Sequence, residues 1–268
     1  MAKRPRTAPK NPQLYRVEVL RTERLTPHMH RVTVGGEALT AFPWMRYDHW
    51  FRLFLRLPHQ TEFAMPEISG KKWWVEFLEV PEQTRPHCSN YTVADLRAAD
   101  AEMDIDFVVH RGPGGEPEGP AAIWACAATP GEPLAVLDQG ILFAPPAGAT
   151  DLTIVADESG LPAVTGILRS LPADTVGRVF QEVPTAADRR ELTGPSGVTI
   201  TWADRDDHGA VPGVAALRAL ESLDALDPGG YGFVVGESTL ATRGRRHLHQ
   251  IGLPKDRITF SGFWKSDH

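Results

Sequence analysis

From residue 14 to about residue 140 the apolar positions fall in short runs divided by turn residues, with little helical period. Leu14, Val17 and Val19 begin the series, and RVTV at 31–34 continues it. The run Trp50, Phe51, Leu53, Phe54, Leu55, Leu57 predicts a long buried strand. Trp73, Trp74, Val75, Phe77 and Leu78 predict another after a turn at Gly70. Residues 91–93, 105–109 and 134–137 supply further strands, with Gly and Pro clustered at 112–119. Strands at this spacing predict a closed six-stranded antiparallel β-barrel rather than βαβ units.

The texture changes at residues 143–150, where two prolines and Gly148 mark a linker. Beyond it LTIVA at 152–156 is a continuous apolar strand, and 161–171 predicts a helix with Pro162 in its first turn. Val179, Phe180 and Val183 mark a second strand and 198–202 a third. Val214, Leu217, Leu220 and Leu223 recur at helical spacing before the stop at Asp227-Pro228-Gly229-Gly230. A strand at 231–236, a helix N-capped by Ser238 and running through His249, and a strand at 258–260 complete the alternation. The pattern predicts a doubly wound α/β domain. The expected organisation is a flexible tail at 1–13, a barrel domain at 14–145 and an α/β domain at 146–268.

With 268 residues, 42% hydrophobic and 23% charged, the chain is long enough for two cores. A net charge of -6 without a dominant basic run argues against a nucleic-acid partner. Lys3, Arg4, Arg6 and Lys10 lack the apolar core of a signal peptide, and no stretch reaches the roughly 18 apolar residues that cross a bilayer. A cytoplasmic protein without membrane attachment is expected. Cys88 and Cys126 have neither metal-ligand nor disulfide-framework spacing and read as reduced thiols. The pairs His28/His30 and His247/His249 lack Cys or carboxylate partners at ligand spacing, so no structural metal is expected.

Three segments carry the chemistry: Tyr91-Thr92-Val93, Asp106-Phe107-Val108-Val109-His110, and Gly119-Pro120-Ala121-Ala122-Ile123-Trp124-Ala125, followed by Pro130-Gly131-Glu132. In the second half stand Ala156-Asp157-Glu158 with Leu161-Pro162-Ala163, then Gly236-Glu237, then Gly262-Phe263-Trp264-Lys265. In this order, over roughly residues 14–265, the series resembles the siderophore-interacting proteins, FAD-dependent ferric-siderophore reductases of the ferredoxin-reductase-like superfamily.

The resemblance implies an FAD on the barrel. Tyr91 is then an aromatic wall for the flavin ring, and Thr92 offers a hydroxyl or N–H to its N5 or O4 edge. Gly119, Pro120, Ala121 and Ala122 bring N–H groups at a helix start to the pyrophosphate. Ser89, Val93, Asp106, Val108, His110, Trp124, Asp157, Ser159 and Trp264 fall on the remaining cofactor positions, and Arg52 and Lys265 on basic positions suited to an anionic ferric siderophore. Each has a plain structural reading as well: strand residues, a loop entering a helix, or surface cations.

Two departures stand out. Ser89 and Ala94 replace arginines of the family, one of which neutralises FAD phosphate, at a cost of about 1.5 to 3 kcal/mol that Arg85, Arg97 or Arg111 would have to restore. The turn Asp157-Glu158-Ser159-Gly160 has two acids where a dinucleotide-binding turn is glycine-rich, so a nicotinamide diphosphate is expected to bind weakly, transiently or elsewhere. The cluster Arg243, Arg245, Arg246, His247 and His249 is either a charge source or a solvated helix face. NADH, NADPH and a ferredoxin-like protein all remain open as donors. A flavin-poor binding module and a flavoenzyme acting on a biosynthetic intermediate are the competing functions.

Overall fold

The computed structural model describes residues 6–68, 72–112, 114–205 and 210–266 and divides into two compact units. One comprises Ala8–Met45 and His49–Ile141; the other contains Leu142–His268 together with Arg46–Asp48. Lys3, Arg4, the turn expected at Gly70 and Pro113 of the Gly/Pro cluster lie outside the described residues.

The first unit is a barrel of β1 (Leu14–Thr26), β2 (Met29–Gly35), β3 (Trp50–Leu55), β4 (His87–Arg97), β5 (Glu102–Val108) and β6 (Pro133–Gly140). All neighbours are antiparallel, in the order β1-β2-β5-β4-β3-β6, and β6 pairs back onto β1 to close it. Alternation along each strand sends every second side chain inward. Tyr15, Val17, Val19, Val34, Phe51, Leu53, Val93, Ile105, Phe107, Leu134 and Val136 thereby make one core. Each large apolar chain so buried contributes about 1.5–3 kcal/mol. Helix α2 (Pro120–Ala127) adds Trp124 and Ala125 to that core.

The strand expected around Trp73 is instead a helix, α1 (Trp73–Leu78). Both edges of β3 are already paired, with β4 and with β6, so the closed barrel offers this segment no ladder. Trp73 and Phe77, one helical turn apart, pack on Phe54 at ring separations of 6.2 and 5.2 Å. Strand β3 also stops at Leu55, ahead of the expected 57, where Gln60 Oε1 accepts the Leu57 N–H at 2.9 Å.

The second unit runs β7 (Leu152–Ala156), α3 (Leu161–Ser170), β8 (Val176–Val183), β9 (Gly197–Asp204), α4 (Val214–Glu221), β10 (Tyr231–Glu237), α5 (Ser238–Gln250) and β11 (Ile258–Trp264). Its sheet is parallel in the order β11-β10-β7-β8-β9. Strands β7 and β10 are buried along their whole length, as central strands covered on both faces must be. Leu152, Ile154, Phe233 and Val235 pack with α3 on one face, and Val155 and Val234 with α4 and α5 on the other. Helix α4 ends at Glu221, short of Leu223. Helix α5 is capped not by Ser238 but by Glu237, whose carboxylate accepts the N–H groups of Thr239 and Leu240. The Ser238 hydroxyl donates instead to the Trp264 carbonyl at 2.7 Å.

Among the described residues no helix is long and apolar enough to cross a membrane, and no three His, Cys, Asp or Glu side chains are grouped to hold a metal. Cys88 and Cys126 are free thiols, and burial pushes Cys88 up to about 11, which disfavours its thiolate.

The segment 46–48 is fastened to the second unit. Arg46 and Tyr47 have φ of 61° and 52°, Tyr47 donates its N–H to Ser170 Oγ at 3.0 Å, and Asp48 accepts the N–H groups of Leu142 and Phe143. Gly166 of α3 lies against the Tyr47 carbonyl, where an added Cβ would come within 2.1 Å of the oxygen. Gly166→Ala is therefore expected to destabilise the protein by about 1–3 kcal/mol through overpacking. A thermal melt equal to that of the wild type would rule out this contact.

Candidate active site

Residues 89–93 of β4 lie across the ladder from β3, with Tyr91 opposite Phe51, Thr92 opposite Trp50 and Ser89 opposite Leu53. Alternation puts Ser89, Tyr91 and Val93 on one face and Thr92 on the other. The Tyr91 ring packs on Phe107 with centroids 4.5 Å apart, and Phe107 lies 5.8 Å from Trp124. Three segments distant in sequence thus form one aromatic row. Burial holds the Tyr91 phenol above its ordinary pKa, so it is a neutral hydroxyl. The Ser89 hydroxyl is buried and has no hydrogen-bond partner. The amide of Val93 is committed, donating to the His49 carbonyl at 2.8 Å.

The next wall comes from the end of β5 and the start of α2. Asp106 does not turn toward an open site: both its oxygens are bound by Arg31, at 2.7 Å from Nε and 3.0 Å from Nη2. Val108 ends β5, and the carbonyl of His110 accepts the Glu118 N–H at 2.9 Å, which closes the loop leading into α2. At the head of α2 stands Gly119 with φ 84° and ψ 148°, a conformation that excludes side chains, followed by Pro120 in the first helical position. An added Cβ at Gly119 would meet nothing within 4 Å, so the approach is open. The amides of Ala121 and Ala122 belong to the first turn, where the helix itself supplies no acceptor.

Of the three arginines considered as replacements for the missing one, Arg97 is held by Glu102 and Asp104, and Arg85 donates to the carbonyls of Val80 and Leu78. Arg111 is exposed in the loop that leads to Gly119, and its guanidinium donates to the Gly115 carbonyl at 2.8 Å. Arg52 lies across from Asn90, its guanidinium 5.6 Å from both the Trp50 and Trp73 rings, with Nε buried and without a hydrogen-bond partner.

Sequence reasoning missed the pair His49 and Asp138, both fully buried in the barrel. Met45 donates its N–H to His49 Nδ1, so the ring proton sits on Nε2 and is donated to Asp138 Oδ1 at 2.7 Å. No motif spacing signals a partner 89 residues away.

In the second unit Asp157, Ser159 and Trp264 do converge, on one another. Asp157 is fully buried. Its Oδ1 accepts the Ser159 N–H at 2.9 Å and the Ser159 hydroxyl at 2.5 Å. Its Oδ2 accepts the Glu237 N–H at 2.6 Å and the Trp264 indole at 3.3 Å. Burial, reinforced by the neighbouring Glu158, pushes Asp157 up to about 7 despite those donors. Glu158 is itself held by Arg205 at 2.9 and 3.0 Å, and Arg205 also binds Glu182 at 2.7 Å. Lys265 is exposed beside Trp264.

A closed antiparallel barrel followed by a doubly wound sheet is the ferredoxin-reductase-like fold. Residues 18–141 match the siderophore-interacting FAD-binding domain and residues 149–267 the siderophore-interacting protein domain. The chain belongs to the siderophore-interacting protein family. It is 31% identical to ferric vibriobactin reductase ViuB of Vibrio cholerae over 93% of this chain and 88% of that one. It is 29% identical to the NADPH-dependent ferric-chelate reductase of Escherichia coli over 92% and 91%. The crystal structure of a siderophore utilization protein from T. fusca superposes with a TM-score of 0.82 at 30% identity, covering 98% of this chain and 97% of that one. Uncharacterized mycobacterial relatives, 32% identical, are matched over only 65% of their own length.

The barrel residues fit the FAD of this family. The buried, unpartnered Ser89 hydroxyl, the partly exposed Tyr91 ring and the unobstructed Gly119 turn would offer it a polar contact, an aromatic wall and helix-start amides for its phosphates.

The raised Asp157 gives a pH dependence of known sign. The folded protein retains a proton that the unfolded chain releases near pH 4, so this contribution to stability is complete at low pH and is lost as pH rises through about 7. Asp157→Asn cannot ionise. Between about pH 5.5 and about pH 8 the wild type should lose on the order of 2 kcal/mol more stability than the variant in urea unfolding. Parallel pH profiles would exclude the raised carboxyl.

Proposed function

We propose that this protein is an FAD-dependent reductase that releases iron from ferric siderophores in the cytoplasm, with a nicotinamide as electron donor. The observation that carries the reading is the row of Tyr91, Phe107 and Trp124 beside the open Gly119 turn, in a barrel matched over residues 18–141 by a siderophore-interacting FAD-binding domain. The names of the Vibrio and Escherichia relatives support ferric chelates as substrate, and the latter supports NADPH as donor.

FAD, when bound, would link the two-electron chemistry of a nicotinamide to the one-electron reduction of iron, so that one donor would serve two ferric ions. In this reading Tyr91 would give the flavin an aromatic wall, Thr92 and Ser89 would offer it hydrogen bonds, and the α2 amides with Arg111 would receive the phosphates. The carboxylate of Asp106 keeps Arg31 in the barrel wall and so acts at one remove. Arg52 in the barrel unit, and separately Lys265 in the second unit, are the candidate cations for an anionic chelate. Ferrous iron carries less charge, so hard oxygen ligands hold it less tightly and it is released.

The test is anaerobic: FAD-loaded protein, NADPH or NADH, a ferric siderophore and a ferrous trap. Flavin bands that bleach with the donor and return as the ferrous complex forms are expected. Bound flavin that reduces no chelate with any donor would move the assignment to a flavoenzyme acting on another substrate. Tyr91→Ala should weaken FAD binding about tenfold or shift the flavin spectrum, whereas unchanged content and spectrum would take Tyr91 out of the site. Lys265→Glu should raise KM for an anionic ferric siderophore about three- to tenfold with FAD content unchanged. An unaltered KM would remove Lys265 from substrate binding.

A further inference from the structure

In the second unit the chain leaves β7 toward β8 and β9 on one side and returns to β10 and β11 on the other. The direction of winding therefore reverses between β7 and β10, and the crevice at their carboxyl ends is where a doubly wound sheet binds a dinucleotide. Such a site needs outward-facing N–H groups for the diphosphate and a turn without obstructing side chains. Here the donors around that crevice are already taken.

The Ser159 amide and hydroxyl, the Glu237 amide at the end of β10 and the Trp264 indole at the end of β11 all donate to the single carboxylate of Asp157. The backbone is shaped for this occupant. Gly236 has φ 130°, and a Cβ there would come within 2.5 Å of Asp157 Cγ. The start of α5 is likewise claimed, by Glu237. Pro162 removes an N–H from the first turn of α3. Three carboxylates, of Asp157, Glu158 and Glu237, thus stand at this edge, and the cation paired with Glu158 is shared with Glu182.

We infer that the Asp157 carboxyl group is a built-in acceptor that takes the place of a dinucleotide diphosphate at the β7–β10 crevice, and so determines which donors this unit accepts. A nicotinamide is then recognised without diphosphate contacts to this turn, and its ADP half adds little. The second consequence rests on the nicotinamide reading above; the exclusion itself does not.

The experiment uses the FAD-loaded full chain. Hydrogen–deuterium exchange at 157–161 and 236–240 is followed with and without millimolar ADP-ribose, and flavin reduction is timed with NADPH and with reduced nicotinamide mononucleotide. Exchange should be unchanged by ADP-ribose, and the two donors should differ by less than about tenfold in kcat/KM. Protection of the Ser159 and Glu237 amides in the wild type would overturn the inference, as would a much larger preference for NADPH that Asp157→Ser leaves unaltered. Asp157→Ser, with folding checked by circular dichroism, frees these donors and should bind ADP-ribose at least about tenfold more tightly. A folded variant that gains nothing would assign the exclusion to other residues and sink the role of Asp157. If neither nicotinamide reduces the flavin, the donor assignment fails while the exchange data still decide whether Asp157 excludes a diphosphate.

Discussion

Strand β6 pairs with β1 on one side and β3 on the other, and this double pairing closes the barrel. Closure removes the free edges that an open sheet would present, so the strands pair with one another inside the unit. It also fixes where other segments can go. The tryptophan-rich stretch at 73–78 has β-forming residues but no edge to join, and it covers Phe54 as a helix instead. Helix α2 adds Trp124 to the core, and the same ring completes the row that begins at Tyr91. The aromatic side of the candidate flavin site is therefore a continuation of the barrel core.

In the second unit a comparable role falls to one side chain. A carboxylate without exposure is costly unless its oxygens are satisfied, and Asp157 meets that condition with donors from the β7 turn, β10 and β11. The same bonds that make its burial tolerable use up the donors that a diphosphate would require. Glu158, Arg205 and Glu182 extend this arrangement, with Glu182 accepting the amides of Gly213 and Ala216 at the head of α4. A nucleotide-binding topology is retained here with its anion site filled from within.

Several features of the site were legible in the sequence. The Gly119-Pro120 turn could be read from local chemistry, because a glycine followed by proline ahead of small residues specifies a helix start whatever surrounds it, whereas Tyr91 and Thr92 were marked only by their place in the family's series of motifs. The commitments of polar groups were not legible. Asp106 is one residue of a matched segment, yet its partner Arg31 lies 75 positions away and binds it in the barrel wall. Of Arg85, Arg97 and Arg111, equivalent as cations in a sequence, the first two are held by two carbonyls and by two carboxylates, and Arg111 is the exposed one, bonded to the Gly115 carbonyl.

The sequence by itself determined the order of elements, the β-barrel ahead of the doubly wound half, and the family to which the motifs belong, since periodicity and motif spacing are local properties of the chain. Only the tertiary structure decided that 73–78 is helical, that His49 and Asp138 form a buried pair, and that Asp157 gathers the donors of Glu237 and Trp264 from 80 and 107 residues away. Which strand edges stay free and which carboxylate owns a given N–H depend on segments brought together by folding, and no local pattern encodes that ownership.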